Sequence, residues 1–252
     1  MTAPRVIWQV VATSRPDCLA NVWRGFTRQL HDSRRLCLVC NGPAWTNPTA
    51  QVWNAGVRPD LLLTSAPGKP AALNTAFQAL RGQWLAVRDD DDVQMPGDLL
   101  DVVTAQRRTA ADIVSRHKHW VYCQDSDRLW LLGEHLANKE AEDPYIAGGS
   151  FLFYNGTATP EVPNRRVGEC VKWARAMVAK GARIWRPGLE HQVFIRGRHD
   201  HLFEADEAKM VRIYARAPKA RLYKPSADAQ RAIRGELNPF ELPHEIKDLT
   251  NL

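Results

Sequence analysis

Trp84-Leu85-Ala86-Val87-Arg88-Asp89-Asp90-Asp91-Asp92-Val93-Gln94-Met95-Pro96 is the stretch that decides the fold. Its apolar start is short enough to read as a buried strand, and that strand runs directly into four consecutive aspartates. Helical periodicity resumes over residues 97–107, where Leu99, Leu100, Val102 and Val103 form an apolar stripe. This order places the aspartates at the C-terminal edge of a sheet, where ligands bind in open α/β folds. Neighbouring carboxylates repel one another until a cation offsets them. An all-oxygen donor set selects a hard divalent ion, Mg2+ or Mn2+, held together with substrate phosphates.

The same alternation recurs toward the N-terminus. Residues 6–12 are a β-branched and apolar strand, and Thr13-Ser14-Arg15-Pro16-Asp17 turns into a helix with Leu19, Val22, Trp23, Phe26 and Leu30 on one face. Residues 35–40 are a second strand, ending in the turn Asn41-Gly42-Pro43. A Trp/Asn/Pro-rich loop follows, then a third strand over 60–63 and an Ala-rich helix over 71–80. Strands alternating with helices in this way predict an α/β fold with a mostly parallel, doubly wound sheet.

The second half is less regular. Residues 113–115 read as a strand, and 120–124 with 129–132 as an antiparallel pair. Ala147-Gly148-Gly149-Ser150 leads into an apolar strand over 151–154. A helix over 169–180 turns Cys170, Trp173, Ala174, Met177 and Val178 inward and stops at Gly181. Short strands are expected at 183–185 and 193–195, and a short helix near 227–234.

The composition is that of a globular chain able to bury a core: 252 residues, 44% hydrophobic, 25% charged. No apolar run approaches the roughly 20 residues of a membrane span, and the apolar stretch at 6–12 is too short and too early for a signal peptide. A cytoplasmic protein is expected. Five cysteines, an odd number, agree with a reducing compartment. Cys37-Leu38-Val39-Cys40 has redox-motif spacing but lies inside an apolar strand, so it reads as core packing. The net charge of +6 hides an acidic middle between basic flanks, a pattern suited to gripping a polyanionic ligand around a metal.

Lys69-Pro70-Ala71-Ala72-Leu73-Asn74, Leu80-Arg81-Gly82 and Asp89 to Pro96 together resemble the core of the family 2 glycosyltransferases. The resemblance covers roughly residues 5–203 and implies a nucleotide-sugar-dependent enzyme of the A-type glycosyltransferase fold. The expected fold class is α/β, a single domain with a Rossmann-like, mostly parallel sheet and a small antiparallel extension. The catalytic domain would occupy 1–208, with a nucleotide-sugar half at about 1–96 and an acceptor half at about 97–208. A basic, then Pro-punctuated extension would follow over 209–252.

The resemblance also implies roles. Thr13 and Arg15 stand in a loop similar to the family's first nucleotide-contacting loop; Asn41, Lys69, Asn74, Asp89 and Asp92 join them around the nucleotide sugar. Asp89 and Asp91 form the Asp-x-Asp pair for the divalent ion (Mn2+ or Mg2+), with His199 as a late third ligand and His201 two residues on. Asp92 would accept a hydrogen bond from a sugar hydroxyl, and Asp90 is expected to be solvated. Gly148, Gly149 and Ser150 would form the acceptor-side loop. Glu169, in the first turn of a helix that favours its anion, would be the single base of an inverting transfer. Two departures stand out. Asn41 replaces an Asp after the second strand, and Cys170 replaces the second acid of a pair.

The reaction expected is transfer from a nucleotide sugar, a UDP-sugar first, to an acceptor hydroxyl. In residues 165–234 Lys and Arg are mixed with Trp173, Trp185, Phe194, Phe203, Tyr214 and Tyr223. That mixture suits a phosphate backbone and stacked bases, making a hydroxymethylated DNA base one acceptor hypothesis. A cell-surface glycan or a lipid-linked acceptor is another. A nucleotidyltransferase would want a Gly-rich loop after the first strand, and residues 12–16 contain no glycine. A non-catalytic nucleotide-sugar-binding protein of the same fold is the remaining alternative.

Overall fold

The computed structural model describes residues 6–116, 119–124, 126, 128–132, 139–141, 146, 148–165, 168–188, 192–196 and 221–223. Its centre is a sheet built on β1 (Ile7–Thr13), β2 (Arg34–Asn41), β3 (Leu61–Ser65) and β4 (Trp84–Arg88), all parallel, in the order β3-β2-β1-β4. Between them run α1 (Leu19–Thr27), α2 (Pro48–Asn54) and α3 (Lys69–Ala79). The chain steps from β1 outward to β2 and β3, then returns to place β4 on the other side of β1. That reversal opens a crevice beyond the C-terminal ends of β1 and β4.

Period-2 alternation covers both faces of this sheet. Val10, Cys37, Val39, Leu85 and Val87 pack against Ala72, Leu73, Ala76 and Phe77 of α3. Val11, Leu36, Leu38 and Cys40 pack against Leu19 and Val22 of α1 and Val52 of α2. Cys37 and Cys40 therefore face opposite layers, as residues three apart on a strand must. Their side chains belong to the core, as expected.

α2 was not foreseen in the Trp/Asn/Pro-rich loop. Its signal is local: the Asn47 side chain accepts a hydrogen bond from the Ala50 amide, and Pro48 occupies the first turn.

After β4 come a two-residue strand β5 (Val93–Gln94) and α4 (Asp98–Thr109), whose Leu99, Val102 and Val103 pack on Ile7, Trp84 and Ala86. The sheet continues through β6 (Ile113–Ser115), β9 (Lys139–Glu140), β10 (Ser150–Tyr154) and β11 (Ile184–Arg186), with α5 (Glu169–Val178) packed on it. β10 lies antiparallel between β4 and β6. A second sheet of five strands joins β7 (His119–Cys123), β8 (Arg128–Leu132), β12 (Gln192–Arg196), β13 (Arg221–Tyr223) and β5. In it β12 runs parallel to β7, and the remaining pairs are antiparallel. β5, β9 and β13 are too short to leave a periodic signal.

Asn155, in a formal glycosylation sequon, is fully buried; its amide donates to the Phe77 and Leu80 carbonyls at the end of α3 (2.6 and 2.9 Å). No helix among the described residues is long and apolar enough to cross a membrane.

Candidate active site at the mouth of the parallel sheet

Two register relations bring the site together. β1 and β4 are parallel neighbours, so Thr13 and Asp89 emerge at the same edge. β10 is antiparallel to β4 with Ser150 opposite Arg88, so the residues preceding β10 lie beside those following β4. Gly149 accordingly sits against Asp89: a Cβ at Gly149 would fall 2.3 Å from the Asp89 carboxyl carbon. Its φ of +72° also belongs to the left-handed region. Glycine is required there on both counts.

The acidic run is not a uniform surface. Carboxylate oxygens of Asp89, Asp91 and Asp92 lie within 4.8 Å of one another, a spacing that could hold a metal ion. Asp92 is almost wholly buried, whereas Asp89 and Asp91 are part-exposed. Asp92 thus joins the two carboxylates foreseen as ligands.

Asp90 overturns the expectation of a solvated side chain. It is buried, with 6% of its surface exposed, and accepts a hydrogen bond from the Thr13 hydroxyl at 2.6 Å. The Arg15 guanidinium bonds the same carboxylate through Nη2 and through Nε at 3.3 Å. The run leaves β4 as a turn in which every second carboxylate, Asp90 and Asp92, faces inward while Asp89 and Asp91 stay part-exposed. Burial pushes the Asp90 carboxyl above its ordinary range, against the opposing pull of Arg15. Burial likewise pulls Arg15 down, but Asp90 and Asp91 outweigh it and the guanidinium holds its proton more tightly than usual.

The loop is held from outside by α1 and its following turn. Asn21 donates to the backbone carbonyls of Asp90 and Asp92, both at 2.9 Å. Gln29 donates to the Met95 carbonyl and accepts from the Leu99 amide. Underneath, Arg88 pairs with Asp98 at 2.6 Å, and Arg116 pairs with Asp98 and Asp101, both at 2.7 Å. Arg88 ends β4 and Asp98 begins α4, so this pair closes the acidic loop at its base. Asn21, Gln29 and the Arg88–Asp98–Arg116–Asp101 network were missed in the sequence. Nothing local marks them, because each partner is remote in the chain or lies across the loop.

Lys69, at the start of α3, pairs with Asp89 across the crevice. Burial works against its charge, but Asp89 foremost, with help from Glu169, raises its proton affinity above the ordinary lysine value. Glu169 begins α5 after Gly168, whose φ is +76°. The Cys170 thiol, driven well up by burial and so neutral, lies 3.5 Å from the Glu169 carboxylate and donates to it. Gly148 approaches both Lys69 and Cys170, with a Cβ position 3.6 and 3.8 Å from their side-chain tips. Thr13, Arg15, Lys69, Asp89–Asp92, Gly148, Gly149 and Glu169 therefore meet at one mouth.

Three foreseen residues also have structural places. Asn74 exchanges two hydrogen bonds with the Val162 backbone, at 3.0 and 2.7 Å, and thereby fixes the segment ahead of α5. Asn41, buried at the end of β2, accepts from the Gly68 amide at 3.3 Å. Ser150 is fully buried as the first residue of β10. His199, His201, Ala147, the helix near 227–234 and nearly all of the extension at 209–252 lie outside the described residues. Trp173 and Phe194 are core residues, 1% and 4% exposed, and so are removed as stacking platforms for bases.

Comparison with known proteins bears out the family resemblance: residues 10–118 match the model of Glycosyl transferase family 2. The chain is similar to S. aureus TarS 1-349 in complex with UDP-GlcNAc, at 13% identity over 97% of this chain and 78% of that one, with a TM-score of 0.59. It is similar to a further crystal structure of S. aureus TarS 1-349, at 13% identity over 75% of this chain, with a TM-score of 0.55; there the chain spans 60% of the other's length. A mycobacterial protein of known crystal structure is 16% identical over 78% of this chain and 68% of its own, with a TM-score of 0.51. No curated protein matches. At these identities the likeness shows the A-type glycosyltransferase fold.

Proposed function

We infer, from the match of residues 10–118 to glycosyl transferase family 2, that this chain transfers a sugar from a nucleotide sugar to an acceptor hydroxyl with inversion. The observation that carries this reading is the meeting of an acidic cluster, two cationic side chains and a helix-start carboxylate at one sheet edge. TarS in its complex with UDP-GlcNAc shares the fold, which favours a UDP-sugar as donor.

The three carboxylates fit a hard divalent ion: all donors are oxygen, and two are open enough to share the ion with phosphate. Asp89, Asp91 and Asp92 would hold it, and His199 is the further ligand suggested by the resemblance. Such an ion, Mn2+ or Mg2+, would offset charge gathering on the departing nucleoside diphosphate when bound. Arg15 and Lys69 supply two further positive charges at the same edge. Glu169 accepts the proton of the acceptor hydroxyl as that oxygen attacks the anomeric carbon. The neutral Cys170 thiol hydrogen-bonded to Glu169 orients its carboxylate without adding a second charge. Gly148 and Gly149 leave room for the acceptor beside it.

For the acceptor, a glycan or lipid-linked hydroxyl is favoured over a hydroxymethylated DNA base, because Trp173 and Phe194 are core residues. The test is incubation with UDP-GlcNAc or UDP-glucose and Mn2+, with glycan acceptors in one arm and hydroxymethylated or plain duplexes in the other. UDP release with labelled glycan supports the reading. Pyrophosphate from a sugar phosphate and a nucleotide would identify a nucleotidyltransferase, and label on hydroxymethylated duplex alone would reverse the order of acceptors. UDP binding without turnover on any acceptor would leave only a binding protein.

A further inference from the structure

Arg15 stands between two carboxylates of different character. Asp90 is buried and already carries the Thr13 hydroxyl at 2.6 Å, so it is tied to the protein. Asp91 is part-exposed, lies 3.0 Å from Arg15 Nη2, and supplies one of the three oxygens of the acidic cluster. The guanidinium thus has a fixed anchor on one side and a shared partner on the other. Lys69 stands on Asp89, at the opposite flank of the same cluster. Asp91 and Asp89 therefore each carry a cation belonging to the chain.

A divalent ion entering this cluster meets the guanidinium at Asp91, and two cations on one carboxylate repel. A diphosphate changes that balance, since its oxygens take the guanidinium fork in the same two-pronged way as a carboxylate. We propose that Arg15 is a built-in counter-ion of Asp91, competing with the divalent ion until the donor's diphosphate draws it away. Cation and diphosphate then bind cooperatively, each strengthening the other by an equal factor. Asp90 is the pivot: it keeps Arg15 at the cluster edge in both arrangements, which accounts for a buried aspartate within a ligand-binding run.

This inference rests on the reading of the mouth as a nucleotide-sugar site. Its test is binding and needs no turnover. Mn2+ affinity is measured by electron paramagnetic resonance, with and without saturating UDP, for wild type, Arg15→Gln and Arg15→Lys. Calorimetric UDP titrations and circular-dichroism melts accompany each variant. Wild type is expected to bind Mn2+ more tightly with UDP, by a factor within the roughly 5- to 150-fold typical of coupled sites. Arg15→Gln is expected to bind Mn2+ alone more tightly than wild type and to lose most of the UDP enhancement. Arg15→Lys, which keeps the charge but not the fork, is expected to shift the same way by less. Unchanged Mn2+ affinity and unchanged enhancement in both variants would overturn the inference while leaving the function intact. Failure of wild type to bind UDP at all would overturn the function and the inference together.

Discussion

Two groups of aspartates share the stretch 89–101 and have opposite fates. Asp89, Asp91 and Asp92 cluster at the mouth of the sheet, where Arg15 pairs with Asp91 and Lys69 with Asp89 from part-exposed positions. Asp98 and Asp101 lie beneath, and Arg88 and Arg116, both fully buried, balance them. The pairing chemistry is the same. Burial decides the difference: a counter-ion with access to water can exchange its partner, whereas one sealed in the core cannot without leaving an uncompensated charge. The upper group is therefore suited to ligands, and the lower group fixes the loop that carries them.

The widest separation between the groups should come from Asp91→Asn. We expect UDP release to fall to background while the melting transition stays near that of wild type, and EDTA to act likewise on the unmodified enzyme. Undiminished turnover in either case would place Asp91 with the structural group. Glu169→Gln comes next, with turnover lower by roughly 100- to 10,000-fold and UDP affinity retained. A loss of UDP affinity instead would make Glu169 a binding residue.

The lower group should answer in stability. Asp98→Asn leaves two buried guanidinium groups with one carboxylate fewer, which costs about 3–5 kcal/mol and lowers the melting temperature by about 6–20 °C. A shift of only a degree or two would show that the network relaxes around the change. Gly149→Ala tests the contact between β10 and the upper group. The left-handed backbone costs about 1–3 kcal/mol, and the new methyl displaces Asp89, so Mn2+ affinity in the presence of UDP should fall too. Normal affinity with lowered stability would separate the glycine's backbone role from its place beside Asp89. The smallest effect is expected from Asn21→Ala, which removes the donor to the Asp90 and Asp92 carbonyls at about 0.5–1.5 kcal/mol. Thermal melts read it directly.

Much of this molecule was legible in its sequence, and for local reasons. Each of the parallel strands is a short apolar run bounded by turn residues, and each of α3, α4 and α5 has an inward stripe, although Leu100 and Val178, read as part of it, are exposed. The family block at 69–96 lies on three consecutive elements, α3, β4 and β5, joined by short turns, so its motif is read as one local pattern. α2 was missed because its N-cap signal, Asn47-Pro48, sits among aromatic and turn residues that read as loop. The pairings of the second sheet were not legible because they join segments far apart in the chain: β12 pairs with both β7 and β5.

The sequence alone determined that carboxylates stand at the end of a buried strand, since an apolar run followed by aspartates has no other stable arrangement in an α/β layer. It determined too that Glu169 begins a helix. Only the tertiary structure decided that Asp90 turns inward, because its burial depends on Thr13 and Arg15 arriving from the neighbouring strand and its loop. Only the antiparallel register of β10 put Gly149 against Asp89, and only the packing of α5 brought Cys170 and Glu169 to Lys69. Charges and apolar patterns are carried by single residues and survive in one dimension. Burial and pairing belong to pairs of residues that the chain brings together only when it folds.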